Sequence, residues 1–278
     1  MADSGCMASL KDDEVLCEDT LMLETDDEYI EFLLSKENRC CTRARAASSD
    51  DSLKSARSDA VRWILKMKVL FGLGMRTAYV AASYLDHFCV HRSIDSMRDK
   101  SWAIRLLSLS CLSLAVKMEE LKVPALSEFR TEDYRFQTEA IQRMELLILS
   151  TLEWKMSMIT PFSYLSYFAS RFQEHGSEDL AWEAITLILA SIEAINLVEY
   201  RPSVVAAAAI LAASHERLTQ KSVELKLSAI SSFRPLDTDR VFSCYSLMIQ
   251  ETDREASHIK TFSFKSIGSK SLDCQQLC

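Results

Sequence analysis

Glycine and proline are scarce in this chain, 5 and 4 among 278 residues, against the roughly 12% that the two usually contribute together. Sheet folds need many tight turns, and those turns draw on these two residues. An all-β or α/β chain is therefore excluded in favour of helix packed on helix. Dense Lys/Arg runs are also missing, and the formal charge is −8 with a pI of about 5.3. A dedicated nucleic-acid binder carries a basic footprint, so no nucleic-acid partner is expected. The nine cysteines, Cys6, Cys17, Cys40, Cys41, Cys89, Cys111, Cys244, Cys274 and Cys278, contain no CxxC pair. An odd number in so long a chain does not read as a secreted disulfide scaffold, and a reducing compartment fits best.

No basic-then-apolar leader opens the chain. The charge-free stretch Ser203–His215 falls short of the about 20 apolar residues a membrane span needs. A prenylation box would place cysteine at 275, where Gln stands. The expectation is a soluble protein with no membrane partner. What the chain does have is 48% hydrophobic and 26% charged residues, an ordinary balance for a globular protein of about two domains.

Residues 1–55 stand apart. Asp12, Asp13, Glu14, Glu18, Asp19, Glu24, Asp26, Asp27 and Glu28 make the first half acidic, and Arg39–Lys54 has few large apolar side chains. Between them Tyr29–Leu34 is apolar enough for one short docking helix over 27–36, so this part reads as a mobile arm with one anchor. From Ala56 the pattern is helical. Ala78, Ala81, Ala82, Leu85 and Cys89 recur on one helical face. Trp102–Val116 is apolar all round, since Leu109, Leu112 and Ala115 lie off the face formed by Ala103, Leu106, Leu107, Ser110, Cys111 and Leu114. A helix of that kind must be surrounded by other helices. The same object returns about a hundred residues later as Val204–Ala213, with Pro202 where a first-turn proline is tolerated.

Each of these hub helices is preceded by two amphipathic segments, Arg57–Phe71 and Thr77–His91, then Pro161–Phe172 and Asp179–Asn196. Each is followed by a loop and a closing helix, Gln137–Leu152 and Thr238–Glu255. The order predicts an all-α protein of two tandem five-helix bundles, each around a central buried helix. The boundaries are an arm over 1–55, a first bundle over 56–156, a second over 157–255 and a flexible tail over 256–278. Thr160-Pro161 marks the junction, because a residue before proline resists helix.

Six motifs then carry a resemblance: Ala56–Leu65, Tyr84-Leu85-Asp86, Leu112–Glu120, Ile141–Trp154, Ile159–Phe168 and Tyr200-Arg201-Pro202-Ser203. In order and spacing the chain resembles a D-type cyclin of plants over about Asp26–Glu255. The resemblance implies two cyclin boxes and a regulatory subunit, not itself an enzyme, that binds and activates a cyclin-dependent kinase at the G1-to-S step. It needs no cofactor and no metal. It also implies a nuclear location, extending to the cytoplasm, and retinoblastoma-related proteins and kinase inhibitors as further partners.

Lys117 ends the apolar hub, and Glu145 is a lone acid in an apolar stretch. A charge beside a core must be paired or reach water. Taken alone, the residues leave two readings open. One is a cation at a helix C-terminus and an acid at the rim, and the other is a charged pair on a partner-binding surface. The resemblance implies the second, since the matching residues of cyclins contact the kinase's regulatory helix. It makes Arg57 and Asp86 an internal salt bridge, Trp63 a box residue and Leu106 a buried leucine of the hub. Around Trp63 stand Asp59, Ala60, Arg62 and Lys66, a departure from the apolar patch that docks Arg-x-Leu peptides on many cyclins. Val15, Cys17 and Asp19 sit where the family carries Leu-x-Cys-x-Glu, the retinoblastoma-binding peptide. Both outer anchors are a methylene shorter, a loss of up to about 1 kcal/mol each. A solvated acidic tail is the alternative for that segment.

Rival classes have thinner support. His87 and His91 stand four apart, as in a zinc helix, but Phe88 holds the place of the general-base glutamate and no third ligand is obvious. Phosphate loops and nucleophile elbows are missing. A two-bundle transcription adaptor would carry a basic face. A cyclin-fold scaffold without kinase activation is the alternative function.

Overall fold

The computed structural model describes residues 27–40, 51–92, 101–125, 128–129, 134–172, 177–195, 199–230 and 236–268. Within them the regular structure is helical: α1 Asp27–Cys40, α2 Asp51–Phe71, α3 Met75–His91, α4 Ser101–Glu119, α5 Thr138–Thr151, α6 Phe162–Phe172, α7 Ser177–Ser191, α8 Pro202–Ala213, α9 Gln220–Ile230 and α10 Thr238–Gly268. The two all-round apolar segments are the hubs. α4 packs against α2, α3 and α5, and α8 against α6, α7 and α10. Every residue from Leu106 to Val116 and from Ser203 to Ala213 is buried. By length and composition α4 could cross a membrane, but its apolar circumference is spent on neighbouring helices, as for the core helix of a globular bundle. The six alanines among positions 206–213 let the partners of α8 approach closely.

Turn chemistry sets the corners. Gly72 takes φ +62° after α2, so that Leu73 N–H reaches the Lys68 carbonyl at 2.9 Å and Gly72 N–H the Val69 carbonyl at 3.4 Å. This six-to-one and five-to-two pairing ends a helix where glycine can turn left-handed. The same pairing ends α5 with Glu153 at φ 53° and Trp154 at φ 62°, and sends the chain toward the second bundle. In the second bundle the short helix α9 separates hub from closing helix. In the first, the described backbone between α4 and α5 is irregular.

Three expected boundaries move. The anchor helix expected over 27–36 continues to Cys40, and α2 starts at Asp51 rather than Ala56. The tail expected to be flexible from 256 is helical as far as Gly268. In each case no glycine or proline interrupts the chain, and extending a formed helix gains one hydrogen bond per residue fixed. Residues 269–278 and the acidic segment 1–26, with Val15, Cys17 and Asp19, lie outside the described residues.

Candidate functional site

The C-terminal end of α4 and the middle of α5 meet at an ion pair. Lys117 Nζ donates to both carboxylate oxygens of Glu145, at 2.6 and 2.7 Å. The Lys117 side chain is 39% exposed and that of Glu145 9%, so the pair lies at the surface with its acid set inward. Two of the three ammonium protons are used, leaving one donor and several carboxylate lone pairs for an outside group. The pair has apolar neighbours in sequence that face water: Met118, Leu121 and Val123 leaving α4, and Leu146 on α5. Leu146, next to Glu145 in that apolar stretch, thus faces water rather than the core. Exposed apolar side chains next to a half-buried charged pair are the make-up of an interaction surface.

The end of α4 is held on its other side as well. Glu119 Oε2 lies 2.8 Å from Arg76 Nε. Glu120 Oε1 accepts the Gly74 N–H at 2.7 Å and the Thr77 hydroxyl at 2.5 Å, both at the start of α3. Glu120 had no assigned role in the sequence. Its nearest signal is its place at the end of the Leu112–Glu120 motif.

Arg57 and Asp86 are brought together inside. Nε and Nη2 of Arg57 donate to the two Asp86 oxygens at 2.7 and 2.9 Å. The guanidinium then reaches beyond the first bundle, donating to the carbonyls of Ile192, Glu193 and Ile195 at 3.1, 2.6 and 2.6 Å. These carbonyls lie in the turn just past the C-terminus of α7, where acceptors are in excess and the helix dipole favours a cation. Arg57 thus joins α2, α3 and the second bundle. Leu106 is buried in the hub. Trp63 is 8% exposed, and the Arg105 guanidinium stands 5.2 Å from its ring centroid. Asp59 and Arg62 pair beside it at 2.9 Å, so the face around Trp63 is polar.

His87 and His91 each spend Nδ1 on the carbonyl four residues back, of Ser83 at 2.8 Å and His87 at 2.7 Å. Burial pushes the His87 imidazole down toward its neutral form. No metal-holding cluster occurs among the described residues. Burial also raises the thiols of Cys89, Cys111 and Cys244, the last to about 12, and a thiol is reactive only as thiolate.

Residues 28–157 match the family model for the cyclin N-terminal domain and residues 159–278 that for the cyclin C-terminal domain. Cyclin-D5-1 of Arabidopsis thaliana is 39% identical over 240 residues, covering 83% of this chain and 73% of that protein. The chain belongs to the D-type cyclins of plants. Cyclin-D5-1 of Oryza sativa subsp. japonica is 44% identical over 207 residues, covering 73% of this cyclin and 56% of the rice protein. This cyclin therefore spans a little over half the length of that relative. A viral cyclin from herpesvirus saimiri shares the fold, with TM-score 0.54 and 16% identity over 71% of this cyclin and 86% of that chain. So does a chain in the structure of the yeast TFIIK (Kin28/Ccl1/Tfb3) complex, with TM-score 0.53 and 14% identity, covering 77% and 93%. Cyclins are regulatory subunits, not enzymes.

Proposed function

We propose that this cyclin binds and activates a cyclin-dependent protein kinase and so promotes the G1/S transition. The observation that carries the reading is the Lys117–Glu145 pair, half open at the end of the first hub and flanked by exposed Met118, Leu121, Val123 and Leu146. The chemistry belongs to the kinase, whose catalytic lysine–glutamate pair is assembled only when its regulatory helix is in place. A surface that binds that helix more tightly in its active position shifts the kinase toward activity by the difference in affinity. The pair supplies the charged anchors and the apolar fringe supplies burial. The second bundle supports the first through the Arg57 carbonyl contacts. A nuclear location, and recognition of retinoblastoma-related proteins through Val15, Cys17 and Asp19, belong to the same reading and rest on the resemblance alone.

The test is phosphorylation of a retinoblastoma peptide by a plant cyclin-dependent kinase, with the wild-type chain or with Lys117→Glu plus Glu145→Lys. The exchange keeps the internal pair but reverses the polarity offered to the kinase. Activation by the wild type and not by the exchanged variant is expected. Binding without activation would leave a cyclin-fold scaffold, and no binding to any such kinase would overturn the reading.

A further inference from the structure

α3 starts without a cap of its own. Its N-cap residue is Gly74, which has no side chain to accept the orphan N–H groups of the first turn. The acceptor arrives from 46 residues away. Glu120 Oε1 takes the Gly74 N–H at 2.7 Å and the Thr77 hydroxyl at 2.5 Å, with its negative charge at the positive end of the helix. A β-carbon built on Gly74 would stand 3.4 Å from this same oxygen, so the capping position is closely filled. Glu120 is also where the chain leaves α4, its own N–H still bonded to the Val116 carbonyl at 3.0 Å. Beside it Glu119 meets Arg76 at 2.8 Å. Three residues earlier Lys117 grips Glu145 on α5. The last turn of α4 is thus fastened to α5 on one side and to the start of α3 on the other. Between and beyond these fastenings Met118, Leu121 and Val123 face outward, 49%, 103% and 50% exposed.

We infer that Glu120 is a positioning residue for partner binding: by capping α3 it fixes the exit of α4, and with it Lys117 and the exposed residues 118–123. The inference rests on the proposed kinase-binding role of that surface. Preorganisation of this kind acts on affinity, because a surface already held in its bound shape loses less freedom on docking. It leaves the active arrangement of the bound kinase unchanged.

The experiment titrates a plant cyclin-dependent kinase with the full chain and reads the half-activating concentration and the plateau activity separately. Melting temperatures are measured on the same samples. Glu120→Ala is expected to raise the half-activating concentration about tenfold while the plateau stays at the wild-type level. Glu120→Gln, whose amide oxygen can still accept both bonds, is expected to restore most of the affinity. Thr77→Val removes one of the two donors at constant shape. It should shift the half-activating concentration in the same direction by a smaller factor, and it carries the test if Glu120→Ala does not fold. A lowered melting temperature with an unchanged half-activating concentration would reduce Glu120 to a structural cap and overturn the inference. Failure of the wild type itself to activate the kinase would instead overturn the functional reading on which it rests.

Discussion

Arg57–Asp86 and Lys117–Glu145 both join helices of the first bundle, yet they are built to opposite ends. Asp86 is 2% exposed and Arg57 16%, and every guanidinium nitrogen has an acceptor: Nε and Nη2 on the carboxylate, Nη1 on the Glu193 carbonyl, with Nη2 reaching the Ile192 and Ile195 carbonyls as well. Lys117 is 39% exposed, with a donor to spare, beside apolar side chains open to water. The guanidinium fork suits the first site, where planar multiple donation is needed, and the ammonium suits the second, where a point charge on a flexible stem can serve an incoming group. A buried pair whose every nitrogen is bonded within the protein holds the fold together, whereas an exposed pair with a donor left over can serve a partner.

Breaking the closed pair should have the largest effect. Arg57→Ala leaves Asp86 buried without its cation and three carbonyls without their donor, a loss of about 3–5 kcal/mol. The thermal midpoint followed by circular dichroism should fall by roughly 10 °C. Arg57→Lys should rescue little, because an ammonium cannot span the carboxylate and the carbonyls past α7 together. A loss below about 1 kcal/mol would place the pair with ordinary surface pairs and remove the contrast.

The open pair should respond in binding rather than in folding. Lys117→Met keeps the stem and removes the charge, so the kinase complex measured by calorimetry should weaken by about 2–5 kcal/mol. The loss in unfolding free energy should be smaller than for Arg57→Ala, because Lys117 is 39% exposed and water can replace its ammonium at the Glu145 carboxylate. A variant that loses stability but keeps affinity would reverse the assignment of roles.

How far this contrast was legible in the sequence follows from what kind of group each contact uses. The hubs α4 and α8 were legible because all-round apolar helices can only be internal, and the scarcity of glycine and proline left helix as the fold class. Lys117 and Glu145 stood out as isolated charges in apolar stretches, and it took the resemblance to pair their roles. The carbonyls of Ile192, Glu193 and Ile195 that complete the Arg57 site were not legible, since every residue has a carbonyl and none announces that it will be an acceptor. Nor were the two remote caps. Glu120 reaches Gly74 across 46 residues, and Glu37 on α1 accepts the Ser203 N–H at 2.9 Å across 166. Periodicity is local and does not report such distances. The two caps answer the same local shortage, because α3 begins after Gly74 and α8 after Arg201 with Pro202 in its first turn, and neither N-cap has a side-chain bond.

Glu37 sharpens the comparison with a buried carboxylate held by neutral donors, the Ser203 N–H and, at 3.3 Å, the Tyr164 hydroxyl. Desolvation raises its pKa above the ordinary glutamate value despite those bonds, which is about 4.3 in peptides. Between that value and the raised one the folded protein holds the proton and the unfolded chain does not. Ionisation of Glu37 therefore costs stability as pH rises through this window, the reverse of a salt-bridged acid. Glu37→Gln, neutral throughout and able to keep the Ser203 bond, should gain in melting temperature relative to wild type as pH increases from about 4.5. A difference that shrinks with rising pH would mean that the donors outweigh burial.

Arg62 gives the smallest effect and the sharpest control. It bonds Glu193 on the same seam that Arg57 crosses, and pairs with Asp59 at 2.9 Å, but its side chain is 61% exposed. Position at the seam is common to Arg57 and Arg62, and only burial and completeness of donation differ. Arg62→Ala should cost about 0–1 kcal/mol and less still at high salt, because exposed pairs are screened. If it cost as much as Arg57→Ala, contact across the seam rather than burial would be what matters, and the distinction between closed and open pairs would lose its physical basis.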